Sequence, residues 1–263
     1  SVGMFMNYHN KNTIFQSKQH GISILHKVKN SYMIFTNQQV LVQINRVFLT
    51  LLIQLNKMEI HNIGVFCGSS MGDHAIYRQM AENLGKEIAQ AGITLVYGGS
   101  NLGTMKALAD ACLKESGKVI GIMPRFLARK EILHQGLTQV YTCESMAERK
   151  ELMGKLSDAF IALPGGIGTL DELFESLSWL QLDIYNKPIG ILNVNHYYDP
   201  LLTFLDHATD AGFIIEQHRE NLIVANDASD MLIKIRQFVP HSPPATWIKQ
   251  LIDDTQVKLT DHL

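Results

Sequence analysis

The segment LPGGIGTLDE, residues 163–172, joins an apolar run to a stretch with helical spacing. The apolar run, AFIAL at residues 159–163, predicts a buried parallel strand, and the residues after the glycines predict a helix over about residues 169–182. Glycine lets a backbone approach a ligand closely, and the first N–H groups of a helix attract an anion because they lack a partner within the helix. The segment therefore predicts a strand, a tight loop and a helix start that bind a phosphate.

A structural interpretation of the same segment competes with the functional one. Thr169 and Glu172 have the S/T-x-x-E spacing of a capping box, in which the glutamate only satisfies the amide of the threonine. The run of glycines before Thr169 favours the phosphate site, since a capping box does not need them.

The composition is that of a globular chain. Its 263 residues are 46% hydrophobic, enough to bury a full core, and a formal net charge of −2 gives no reason to expect a nucleic-acid partner. No run approaches the roughly 18–20 apolar residues that cross a bilayer. We therefore expect neither nucleic acid nor a membrane as a partner.

The cysteines and histidines indicate neither disulfides nor a metal. Cys67, Cys112 and Cys143 are far apart, which excludes a disulfide framework and the paired spacing of a zinc site. The histidines show no ligand pattern such as H-E-x-x-H. We expect a reducing cytoplasmic setting, no metal, and a structural role for Cys67 as a small core residue.

Residues 1–57 differ from the rest of the chain. They carry six basic and no acidic residues, whereas the remainder carries 17 basic and 25 acidic ones. Apolar residues at helical spacing predict a helix over about residues 38–57. Three interpretations stay open: a peripheral extension that begins with a tag remnant, a helix that packs on the domain or a partner, and a basic membrane-surface anchor.

From Met58 onward, predicted strands and helices alternate over short connections. This order predicts an α/β domain, a Rossmann-like doubly wound parallel sheet with helices on both faces, over residues 58–240, followed by a polar tail over residues 241–263. Ligands of such sheets bind beyond the carboxyl ends of the strands. Three turns rich in glycine and serine fall at those ends, at residues 67–70, 98–103 and 164–169.

These turns favour a small phosphorylated ligand over a dinucleotide or ATP. In the turn at residues 98–103, Ser100 stands where the G-x-G-x-x-G fingerprint needs its second glycine. No Gly-Lys-Ser/Thr follows any of the turns, so none is a Walker A loop.

Arg149 and Glu172 are candidates for the chemistry. They are separated by one predicted helix and one predicted strand, so both could face the same crevice. Arginine holds phosphate in two-point contacts, and a carboxylate beside a sugar stabilises an oxocarbenium-like transition state or activates water. The competing interpretation is that Arg149 belongs to an ordinary solvated charge run on a helix.

The motifs together resemble the LOG ("lonely guy") family. They are P-G-G-x-G-T-x-x-E, the preceding M-x-x-R-K at residues 146–150, WLQL at residues 179–182 and KPIGILN at residues 187–193. The resemblance implies hydrolysis of the N-glycosidic bond of a nucleoside 5′-monophosphate, either a cytokinin ribotide or AMP, to free base and ribose 5-phosphate. It also implies a homodimer with its sites near the subunit interface, and no cofactor.

Carried over by position, the resemblance makes Arg149 and Glu172 the catalytic pair. Whether the arginine contacts the phosphate or the departing base stays open. The residues implied to bind the substrate or its phosphate are Glu131, Lys150, Gly165, Gly166, Ile167, Gly168, Thr169, Gly68, Ser69, Gly98 and Gly99.

The chain departs from the family pattern at a few positions. Ala147 replaces the histidine of M-H-x-R-K, and Ser100 and residues 104–106 replace a more glycine-rich stretch. Two other functions stay open. One is a non-catalytic carrier of a nucleotide or the molybdenum cofactor on the same fold. The other, lysine decarboxylation, is disfavoured because the only string like S-x-x-H-K, at residues 23–27, lies in the extension.

Overall fold

The computed structural model describes residues 13–18, 21–28, 31–35, 58–128 and 132–241. The chain divides into two compact units, Ser1–Lys57 and Met58–Leu263. The helix predicted over residues 38–57, the tail beyond residue 241 and Glu131 lie outside the described residues. Within the described part, no helix has both the length and the apolar character needed to cross a bilayer.

The first unit contains a small antiparallel sheet that the sequence analysis did not predict. Its strands are consecutive and pair in the order β1-β2-β3. The strands are β1 (Thr13–Lys18), β2 (Gly21–Val28) and β3 (Ser31–Phe35).

Among its described residues, the second unit has seven strands that pair in parallel, as the alternation of strands and helices predicted. All seven predicted strands are present, with ends shifted by up to two residues. They are β4 (Asn62–Phe66), β5 (Thr94–Tyr97), β6 (Val119–Pro124), β7 (Gln139–Cys143), β8 (Ala159–Ala162), β9 (Ile189–Leu192) and β10 (Leu222–Ala225).

Helices connect these strands, and two short ones, α3 and α7, were not predicted. A single 3₁₀ turn, Val194–His196, follows β9. The helices are α1 (Ala75–Gln90), α2 (Gly103–Lys114), α3 (Arg125–Ala128), α4 (Met146–Leu156), α5 (Ile167–Gln181), α6 (Asp199–Asp210), α7 (Glu216–Glu220) and α8 (Ala228–Arg236).

The sheet has an apolar core on each face because successive strand residues point to opposite sides. On β4, Ile63 and Val65 pack in the core formed with α1, α2 and α8. Phe66 packs in the other core, with α4, α5 and α6, where its ring stacks on that of Phe160 at a centroid distance of 5.2 Å. The sheet is therefore doubly wound.

The strand order is β10-β9-β8-β4-β5-β6-β7. The chain runs outward from β4 to β7, returns to the other side of β4 and runs outward again from β8 to β10. The loops after β4 and β8 thus leave adjacent strands toward opposite faces of the sheet. Such a reversal point opens a crevice at the carboxyl ends of the strands, where ligands of this fold class bind.

Candidate active site

A cavity of about 300 Å³ occupies this crevice. It lies between the loop that follows β4, Gly68 to Asp73, and the loop that follows β8, Pro164 to Gly166. Tyr77, Thr104 and Tyr197 complete its lining. Two of the three turns predicted to bind the ligand therefore meet at one site, and the third, after β5, contributes through Thr104 at the start of α2.

The N-terminus of α5 opens at this cavity without a side-chain cap. The helix begins at Ile167 with Gly166 as its N-cap, two residues before its predicted start. The amide of Leu170 donates to the carbonyl of Gly166 at 3.1 Å, so the three preceding amides come before the first intrahelical hydrogen bond. These amides and the positive end of the helix dipole form a ready-made anion site.

The capping-box interpretation of the segment is wrong. Because α5 starts early, Thr169 lies inside its first turn and is buried, whereas a capping residue would precede the helix. Gly165 is required beside it, since a Cβ on this residue would overlap the Thr169 hydroxyl. The side chain of Glu172 turns away from the helix start and pairs with an arginine instead.

Arg149 and Glu172 form a buried ion pair. Arg149 lies in the first turns of α4 and Glu172 in α5, and Nη1 of the arginine donates to Oε1 of the glutamate at 2.5 Å. Only 10% of the arginine side chain and 8% of the glutamate side chain are exposed. This excludes the interpretation of Arg149 as solvated surface charge.

Two further contacts fix the arginine. Its Nε donates to the carbonyl of Ile122 at the end of β6, at 3.0 Å. A Cβ on Gly98 would overlap the Nη2 atom, so only glycine leaves room for the guanidinium at the end of β5. Gly98 thus makes space for Arg149, and its predicted contact with the substrate stays a prediction.

Burial controls the charge of Glu172. Loss of water around the carboxyl group raises its pKa above the ordinary value, and the neighbouring Arg149 partly offsets the rise. A carboxylate with a raised pKa is a stronger base when ionised, which favours a role in proton transfer. Cys67, close by at the end of β4, stays a thiol because burial raises its pKa to about 12.

Lys150 lies one residue after Arg149 but contacts a different part of α5. Its Nζ pairs with Asp171 at 3.0 Å and Glu175 at 3.1 Å. Burial lowers the pKa of this amine, but the two carboxylates outweigh it and raise the pKa. Lys150 ties α4 to α5 beside Glu172 and does not line the cavity, so its predicted contact with substrate stays a prediction.

Thr104 is a site residue that the sequence analysis did not select, although it noted the departure from the family pattern there. Its hydroxyl accepts a hydrogen bond from the amide of Gly68 and donates one to the carbonyl of the same residue, both at 3.0 Å. Gly103 before it has a φ of 55°, and a Cβ there would overlap Ser69. The start of α2 is thus locked against the loop after β4.

The other predicted residues have separate positions. Ser69 lines the cavity beside Gly68, and Gly99, with a φ of 76°, turns the chain after β5. Ile167 and Gly168 form the first turn of α5, where Ile167 is 83% exposed. Ala147 is exposed on α4 and Ser100 is buried.

A second cavity, of about 170 Å³, lies elsewhere on α5 and contains none of the predicted site residues. Phe174, Leu177 and Leu205 give it a largely apolar wall. Within the described residues, no group of three or more histidine, cysteine, aspartate or glutamate side chains could hold a metal ion. The expectation that the protein uses no metal stays a prediction.

The sequence is similar to proteins named for one activity. A probable cytokinin riboside 5′-monophosphate phosphoribohydrolase of Oryza sativa subsp. japonica is 44% identical over 185 residues, which are 70% of this chain and 75% of the relative. The cytokinin riboside 5′-monophosphate phosphoribohydrolase of Rhodococcoides fascians is 45% identical over 176 residues, 66% of this chain and 89% of the relative.

Solved structures share the fold at lower identity. The molybdenum cofactor binding protein of Rippkaea orientalis superposes with a TM-score of 0.51 at 24% identity, over 68% of this chain and 96% of that one. The molybdenum cofactor carrier protein of Chlamydomonas reinhardtii gives a TM-score of 0.52 at 21% identity, over 68% and 98% of the two chains. These likenesses show the Rossmann-like fold alone.

A family model described as "Possible lysine decarboxylase" matches residues 105–235. This range contains Arg149, Glu172 and the loop between them that follows β8. Together with the 44% identity to the rice relative over three quarters of its length, the match confirms the resemblance drawn from the motifs. The chain belongs to the LOG family, the family of the cytokinin riboside 5′-monophosphate phosphoribohydrolases.

Proposed function

We propose that this protein hydrolyses the N-glycosidic bond of a purine nucleoside 5′-monophosphate and releases the free base and ribose 5-phosphate. The observation that carries the proposal is the buried Arg149–Glu172 pair, whose glutamate lies on the same helix, α5, as the uncapped N-terminus beside the cavity. The pair itself is not among the residues that line the 300 Å³ cavity. The relatives named for this reaction supply its chemical class.

The helix start supports recognition of the 5′-phosphate. The amides of Ile167, Gly168 and Thr169 at the N-terminus of α5 would bind its oxygens, because they have no partner within the helix. The adjacent Gly165 and Gly166 let the phosphate approach the backbone closely. A nucleoside that lacks the phosphate would lose this binding.

The ion pair supports the bond cleavage. As the bond between ribose and base breaks, positive charge develops on the sugar, and the carboxylate of Glu172 would stabilise it and accept a proton from the attacking water. Arg149 uses Nε and Nη1 in its contacts with Ile122 and Glu172. Its remaining N–H groups are left for the substrate, either the phosphate or the departing base.

Lysine decarboxylation has no support from the site. That reaction needs pyridoxal phosphate on a lysine, and the lysine beside Glu172, Lys150, is held in ion pairs with Asp171 and Glu175. The carrier function rests on structural likeness below 25% identity, which shows the fold alone.

The proposed enzyme is a homodimer in the cytoplasm. The proposal of a dimer is supported by large apolar side chains exposed on and beside α5 and α6, with Ile167 at 83%, Phe204 at 60% and Phe213 at 89%, since a subunit interface would cover apolar area of this kind. Cys67, Cys112 and Cys143 are all buried and unpaired, which supports a reducing compartment. Light scattering tests the assembly: twice the chain mass supports a dimer and the chain mass itself contradicts it.

The activity is tested by chromatography of reactions with AMP, isopentenyladenosine 5′-monophosphate and adenosine. We expect free base and ribose 5-phosphate from at least one of the two monophosphates, and much slower release from adenosine because it lacks the phosphate. The comparison of the two monophosphates ranks AMP against a cytokinin ribotide. No base released from either would contradict the proposal.

A further inference from the structure

Two consecutive tyrosines contact the loop that is proposed to bind the phosphate. The hydroxyl of Tyr198 donates to the carbonyl of Leu163 at 2.7 Å, and the hydroxyl of Tyr197 donates to the carbonyl of Gly165 at 2.7 Å. The two carbonyls lie on either side of Pro164, which has no N–H group of its own. Tyr197 thus satisfies a carbonyl of the loop, Tyr198 satisfies the carbonyl just before the loop, and neither tyrosine occupies a backbone N–H group of the loop.

The two tyrosines differ in exposure. Tyr198 is 1% exposed and belongs to the core on the side of α5 and α6. Tyr197 is 41% exposed and its ring lines the cavity, where it meets the ring of Tyr77 edge to face at 5.9 Å. Tyr198 is therefore part of the packed interior, whereas Tyr197 acts at the cavity wall.

A strained turn positions Tyr197. The two preceding residues, Asn195 and His196, have φ values of 51° and 59°. These values lie in the left-handed backbone region that residues other than glycine rarely adopt. Asn193 and Asp199 bracket the turn: the side-chain Nδ2 of Asn193 donates to Oδ1 of Asp199 at 2.6 Å. Such strain persists only where surrounding contacts enforce it, and it concentrates at functional sites.

We propose that Tyr197 is a positioning residue that orients the phosphate loop for a 5′-monophosphate. The inference rests on the proposed function. Its hydroxyl fixes the carbonyl of Gly165, so the peptide that joins Gly165 to Gly166 keeps its N–H group on the opposite side and the amides at the start of α5 stay aligned for the phosphate. Tyr197 touches no reacting atom in this role.

The role predicts which kinetic constant changes. The phosphate is held equally in the ground state and in the transition state, so weaker binding of the phosphate raises KM and leaves kcat nearly unchanged. Removal of one such hydrogen bond corresponds to about a three- to tenfold loss of affinity. Adenosine carries no phosphate, and its hydrolysis would not respond.

The test compares Tyr197→Phe with wild type in the full-length protein. Tyr141→Phe on β7 is the matched control, because it removes a hydroxyl that makes no hydrogen bond within the described residues and lies outside the cavity. We measure kcat and KM for AMP, kcat/KM for adenosine, the melting temperature, and calorimetric binding of ribose 5-phosphate.

We expect Tyr197→Phe to raise KM for AMP and Kd for ribose 5-phosphate about three- to tenfold, with kcat and the melting temperature close to wild type. Tyr141→Phe should match wild type in every measurement. Unchanged Kd for ribose 5-phosphate, or equal losses for AMP and adenosine, would overturn the proposal. If wild type released no base at all, the proposed reaction would fail, and the Kd comparison alone would still decide the role of Tyr197.

Discussion

Arg149 and Glu172, 23 positions apart in the sequence, meet through a 2.5 Å hydrogen bond between Nη1 and Oε1 in the interior of the protein. The helices that carry them, α4 and α5, come before and after β8, which pairs with the central strand β4. Taking one partner from a buried ion pair leaves an uncompensated charge, which is far more costly than the loss of a surface pair.

Gly98 tests how closely the site confines Arg149. A Cβ there would overlap Nη2, so Gly98→Ala should displace the guanidinium and lower kcat/KM for AMP by about 100-fold, the scale of a misplaced catalytic group. The control is Arg149→Ala, with and without Gly98→Ala. If Gly98 acts through the arginine, Gly98→Ala lowers kcat/KM almost no further in a protein that already carries Arg149→Ala. Fully additive losses would contradict this role.

Thr104 should contribute to stability. Thr104→Val removes the hydroxyl that serves both the amide and the carbonyl of Gly68 in a buried position, and unsatisfied buried groups cost about 1–3 kcal/mol. Urea unfolding measures the change in the free energy of unfolding. Thr104→Ser keeps the hydroxyl and should recover most of the loss. A valine variant as stable as wild type would show that the two hydrogen bonds do not hold the loop.

Glu172 gives stability a specific dependence on pH. Folding raises the pKa of this carboxyl group above its ordinary value of 4.5, so the folded state holds the proton more tightly than the unfolded state. The contribution of the group to stability is therefore full below pH 4.5 and is lost as the pH rises through the folded pKa.

Glu172→Gln does not titrate and serves as the reference. The free energy of unfolding of wild type minus that of Glu172→Gln should be larger at about pH 4 than at about pH 7. Urea titrations of both proteins at the two pH values give this difference. A difference that grows toward pH 7 would mean that the pair with Arg149 lowers the pKa more than burial raises it.

The fold of the second unit was predictable because its signals are local and repeated. Short apolar runs that alternate with amphipathic stretches indicate parallel strands and covering helices without knowledge of any contact. The site was predictable in part for the same reason, since turns at the ends of parallel strands must lie at one edge of the sheet. Gly68, Ser69, Gly165 and Gly166 line the cavity accordingly.

The remaining features depend on contacts that the sequence pattern does not reveal. The early start of α5 at Ile167 follows from the use of Gly166 as N-cap, although the threonine and acids after it suggested a later start. Tyr197 contacts Gly165 from 32 positions away, through a turn with two left-handed residues. The one sequence signal for Tyr197 was its position in a turn that follows β9, the strand next to β8. The strands β1 to β3 were not predicted because the clearest pattern in residues 1–57 was the helical spacing at residues 38–57, which follow these strands.

The most direct test of the account is the release of free base and ribose 5-phosphate from a purine nucleoside 5′-monophosphate by wild type and by Glu172→Gln. Glu175→Gln, one turn later on α5 and paired with Lys150, is the matched control. We expect Glu172→Gln to reduce kcat by about 10²- to 10⁴-fold while its melting transition stays cooperative, and Glu175→Gln to stay within a few-fold of wild type. Turnover by Glu172→Gln at the wild-type rate would contradict the assignment of the reaction to the Arg149–Glu172 pair.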